Sequence, residues 1–110
     1  MDIMTFSVQG SAEEPYSVEF RRDGANLSAY CTCAAGAVGQ YCKHRFRILQ
    51  GDFEGLVGGS TEEVKKVASW LGGTDVESAI LELAKAETVL EQAKKDVSAA
   101  KKKLARALSN

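Results

Sequence analysis

Three cysteines and the only histidine of this chain fall within fourteen consecutive positions, in the stretch "CTCAAGAVGQYCKH" from Cys31 to His44. The spacing is Cys31-x-Cys33, eight residues, then Cys42-x-His44. Two ligand pairs joined by a loop are what a tetrahedral ion needs, each pair forming a corner of the site. Three thiolates and one imidazole suit zinc best. No other thiol or imidazole exists in the chain, so the pattern points to ligation and away from scattered core cysteines. If Cys31, Cys33, Cys42 and His44 all coordinate, the shell is closed. One Zn2+ per chain is then structural, since no position is open to water or substrate. Thiol redox at Cys31 and Cys33 is the competing chemistry, but the stretch lacks the Cys-x-x-Cys helix-start setting of thioredoxin-like sites.

"CTC", the small and glycine-bearing residues after it, and "CKH" leading into the basic and apolar "RFRIL" resemble the SWIM zinc-finger family. Its motif is Cys-x-Cys, a variable spacer, then Cys-x-His. Family members commonly carry proline directly after the second cysteine, where this chain has Ala34. The resemblance covers residues 16 to 50 or so. It implies a small β-β-α unit around one zinc, an association with DNA or protein binding, and frequent company with ATPase or recombination assemblies.

The elements that would position these ligands are legible on either side. Met4, Phe6 and Val8 alternate with polar residues, as do Tyr16, Val18 and Phe20, which predicts two half-buried strands. Asp23-Gly24 marks a tight turn before Leu27, Ala29 and Cys31 alternate in turn, completing an antiparallel meander. From Cys42 to Gly51 the residues suit a short helix. "GDFEGLVGG" is glycine-rich and places a boundary near residues 51 to 59. Beyond it, Ser60 with Glu63 and Thr74 with Glu77 match the capping box and announce helices over 61–71 and 75–108. The expected fold class is α+β: a zinc-binding unit over 1–52, then a helical region for oligomerisation over 60–110, a hairpin of the short helix 61–71 and the long coiled-coil helix 75–108.

Bulk properties narrow the function. At 110 residues, two large domains are excluded. A net charge of -1 gives no global positive field to hold nucleic acid or anionic lipid, so any such binding needs a local patch. Short apolar runs and Asp2 near the amino terminus argue against membrane spans or a signal peptide. An odd cysteine count fits a reducing compartment, and the expected location is cytoplasmic. With His44 spent as a ligand, no histidine is left as a general base, so no enzyme activity and no small-molecule substrate are expected.

The carboxy-terminal helix carries a heptad pattern. Val76, Leu83, Leu90, Val97 and Leu104 recur every seven residues, and Ala79, Ala86, Ala93, Ala100 and Ala107 follow three later. The pattern resembles the close-packed Leu/Ala coils called Alacoils, which favour antiparallel pairs. Before residue 93 the helix is mostly acidic, and after it mostly basic, which also answers the helix dipole. Two copies are complementary when antiparallel. The helix spans about 50 Å, more than the short helix before it can cover. An antiparallel homodimer is the expectation, with hetero-pairing second. Around the cluster, Lys43, Arg45 and Arg47 with Arg21 and Arg22 are candidates for a partner surface, opposed by acidic residues in the same half. Two functions follow: an adaptor presenting zinc units to a protein partner, or a dimer with two DNA-contacting fingers.

Overall fold

The alternating residues of the first third form three strands: β1 (Asp2–Val8), β2 (Tyr16–Asp23) and β3 (Asn26–Cys31). In the computed structural model, which describes residues 1–109, these pair antiparallel as a meander, and a fourth strand makes the sheet order β3-β2-β1-β4. The register of β1 on β2 sets Phe6 opposite Val18 and Met4 opposite Phe20. Apolar side chains therefore share one face. Phe6 and Phe20 meet edge to face with ring centroids 5.9 Å apart, and full burial of each contributes about 1.5–3 kcal/mol. The β2–β3 turn is Gly24-Ala25, between the paired Asp23 and Asn26.

Two helices and the fourth strand follow: α1 (Ala34–Ala37), α2 (Lys43–Leu49) and β4 (Leu56–Gly58). β4 was not among the expected elements. It is three residues long, and it pairs with the end of β1 through Ser7 and Val8. The glycines that mask it in sequence are what let it approach. A side chain on Gly59, whose φ is +109°, would put its Cβ 2.6 Å from the Phe6 ring.

The last two helices are α3 (Thr61–Ser69) and α4 (Asp75–Leu108). At α3 the predicted box is complete: Ser60 Oγ accepts from Glu63 N–H, and Glu63 accepts from Ser60 N–H. At α4, Thr74 Oγ1 accepts from Glu77 N–H and donates to the Leu71 carbonyl, which satisfies a buried hydroxyl.

The division between the two halves does not fall in the glycine-rich stretch. One compact unit is Met1–Glu77, and the second begins at Ser78. The reason is the apolar stripe of α3. Val64, Val67 and the adjacent Trp70 are buried with Phe6, Val18, Phe20, Ile48 and Leu49 in a single core, so this helix closes the sheet and α2. In the second unit, α4 buries no residue. Its seam residues Leu83, Leu90, Val97 and Leu104 are 41% to 61% exposed. No helix among the described residues is long and apolar enough to cross a membrane.

Candidate metal centre

β3 ends on Cys31, and its alternation turns that side chain inward. Cys33 follows as the N-cap of α1, and its sulfur accepts the Gly36 N–H at 3.2 Å. The segment between the cysteine pairs is therefore anchored by one helical turn, where the sequence predicts only a loop. Ala34 opens that turn at the first helical position, the one that tolerates proline. Cys42 caps α2, and His44 lies in its first turn.

These elements bring all four predicted ligands together. One ligand atom from each of Cys31, Cys33, Cys42 and His44 lies within 4.8 Å of the others. Cys33 Sγ is 3.3 Å from Cys42 Sγ, and His44 Nδ1 is 3.4 Å from Cys42 Sγ and 3.8 Å from Cys31 Sγ. Ligands at zinc's usual bond lengths in a tetrahedron stand about 3.5–3.8 Å apart. A disulfide requires about 2.05 Å, and all three cysteines are free. The set can hold one metal ion, with a spacing consistent with zinc.

The electrostatics suit the donors. Burial first, then the Cys33 and Cys42 sulfurs, push the Cys31 thiol up to about 12 against the Cys33 backbone N–H. Burial also opposes ionisation of Cys33. There, however, the Gly36 N–H and the Cys42 and Cys31 side chains outweigh it and hold the thiol below its ordinary value. Cys33 is thus the easier of the two to ionise, and Cys31 needs the cation to lose its proton. Burial, and then the charges of Lys43 and Arg47, hold the His44 imidazole below its ordinary value, in the neutral form that ligates.

Some supporting residues escaped sequence reasoning. A Cβ on Gly36 would stand 2.7 Å from Cys31 Cβ and 2.8 Å from the Cys31 carbonyl. The available signal was its place three residues after Cys33, the spacing at which a capping side chain meets an N–H. Tyr16 packs its ring on His44 at 4.9 Å, and Gly10 leaves room for both. We expect Gly36→Ala to weaken metal affinity by about 10–100-fold, the usual cost of disturbing groups that orient ligands, as read by competition with a chromophoric chelator.

The five candidate cations do not gather. Arg21 pairs with Glu19 at 3.1 Å and lies over Tyr30, while Arg22 donates to the Gly24 carbonyl. Arg45 braces the module by donating to the carbonyls of Ala29 and Gln40. Lys43 and Arg47 remain, one helical turn apart, on the wall of a cleft of about 170 Å³ next to His44. Val8, Ile48 and Leu56 supply its apolar lining, and Asp52 and Glu54 also border it. Of the seam, Val76 packs on the module's core, and the positions from Ala79 onward lie along the exposed helix. Compared with protein-family models, with curated proteins and with solved structures, the chain matches none of them.

Proposed function

We propose that this chain is a zinc-stabilised, non-enzymatic interaction module of SWIM type, which dimerises through α4 and presents its metal-organised face to a protein partner. The convergence of three sulfurs and one imidazole carries the reading. With zinc in that shell no coordination site is left for a substrate, and the metal's contribution is folding. A reducing, cytoplasmic setting keeps three buried thiols available.

The disposition of charge favours a protein partner over DNA. Duplex binding needs several cations arranged to track phosphates. Three of the five candidates are engaged within the module, and the two at the cleft share it with two carboxylates. An apolar slot with both signs of charge suits a peptide segment better. In fluorescence-anisotropy titrations at low salt, the zinc-loaded protein should show no association with an arbitrary duplex. Binding that weakens steeply with salt and is lost in Lys43→Glu with Arg47→Glu would move the assignment to a DNA-contacting dimer.

A further inference from the structure

A second cleft, of about 130 Å³, opens at the base of α4. Leu27, Ala29, Phe46 and Leu49 supply its apolar lining, together with Val76, the first residue of the heptad seam. Val76 therefore belongs both to the seam and to the rim of this cleft.

The seam has one antiparallel register that uses every position. When positions summing to 183 face each other, Val76 meets Ala107 of a second copy, Leu83 meets Ala100, and Leu90 meets Ala93. Every branched residue is then opposite an alanine, and the helix bounds Asp75 and Leu108 come level. Flanking the seam, Glu82 faces Lys103 and Glu87 faces Lys94, each twice by symmetry. Sliding one heptad sets Lys94 against Lys94 and Asp96 against Asp96. Sliding the other way sets Glu87 against Glu87 and Glu82 against Asp96. A parallel pair sets Glu82 against Glu87. Among the described residues, no charge on α4 is used in an ion pair within the chain.

We infer that the carboxy-terminal turn of α4 from a second copy docks in this cleft, so that each zinc module is closed by the other chain. In that register Leu108 reaches the first residue of the facing α4, beyond which no facing helix remains. The module's apolar cleft is the surface left for it, and Leu108 is 79% exposed within its own chain. The inference rests on the homodimer proposed above and adds its register and its docking site.

A photoreactive benzoylphenylalanine in place of Leu108, in zinc-loaded protein mixed from isotope-labelled and unlabelled chains, tests this. A control chain carries the same group in place of Ala93. The expected result is a cross-link between chains from position 108 to peptides containing residues 27–29 or 46–49, and from position 93 to the α4 centre. A dimer whose position 108 links to another place, or fails to link while position 93 does, overturns the docking and leaves the dimer standing. A monomer in native mass spectrometry overturns the dimer itself.

Discussion

Stripping the metal from reduced protein with excess chelator should unfold the first unit. Dispersed amide and methyl signals of residues 1–77 collapse, and they return when one equivalent of Zn2+ is added. The magnitudes decide this. Structural zinc contributes about 10–16 kcal/mol at neutral pH, and a whole domain is held by about 5–15 kcal/mol. A module of this size has little reserve without its metal. The loss is also specific. Cys31, Cys33 and Cys42 belong to the same core as Phe6, Phe20 and Trp70, so releasing the ion loosens the seat of α1 and α2 on the sheet. Cys42→Ser should act like chelation, whereas Tyr41→Ser, at an exposed neighbouring position, should not.

Acid should do the same, and the sign follows from the site. The Cys31 thiol, pushed up to about 12, must release its proton to solvent before its sulfur can bind the metal, so falling pH competes with binding. His44, held below its ordinary 6.5, favours folding while neutral, and that contribution is lost as pH falls through its folded value. Both effects weaken the zinc-bound module on the acid side of neutrality. Affinity measured by chelator competition should rise with pH.

The second large effect concerns the dimer. In the proposed antiparallel dimer, Glu82→Lys with Glu87→Lys would convert four attractive flanking contacts into repulsive ones. At about 0.3–0.5 kcal/mol per exposed pair, counted once for the lost attraction and once for the repulsion, the cost is roughly 2–4 kcal/mol. Sedimentation equilibrium at low salt should show dimerisation weakened by about 30–1000-fold, and less so at high salt. Combining these changes with Lys94→Glu and Lys103→Glu in one chain should restore the homodimer. Mixing the first double variant with a chain carrying only the second pair should give a heterodimer. A charge reversal without effect would contradict the antiparallel register.

Much of this fold can be read from residue order because the signals are local. Alternation at Met4, Phe6 and Val8, the Ser60/Glu63 box and the cysteine–histidine spacing each operate within a few residues. What escaped depends on distant contacts. β4 is a strand only because Ser7 and Val8 pair with it, and its flanking glycines read as breakers. α3 carries an apolar stripe that suits either a coiled-coil seam or a core. Trp70, too large to leave exposed cheaply, was the clue that it belongs to the core, where Val64 and Val67 are 1% and 0% exposed. At the site, the ligand set was legible and its supports were not. Spacing could mark Gly36 as the capping partner of Cys33, but its 2.7 Å approach to Cys31 is set only in the folded chain. Arg21, Arg22 and Arg45 form a patch by composition, yet their partners are set by the sheet and by α2.

In the proposed function, one ion clamped by Cys31, Cys33, Cys42 and His44 holds the amino-terminal unit in shape. Native mass spectrometry of the reduced, purified chain, paired with its amide spectrum before and after chelation, tests it most directly. One zinc per chain, two chains per particle, and a spectrum that collapses when the metal is withdrawn are the expected results. A metal-free chain with a sharp, dispersed spectrum indifferent to chelator would contradict the proposal.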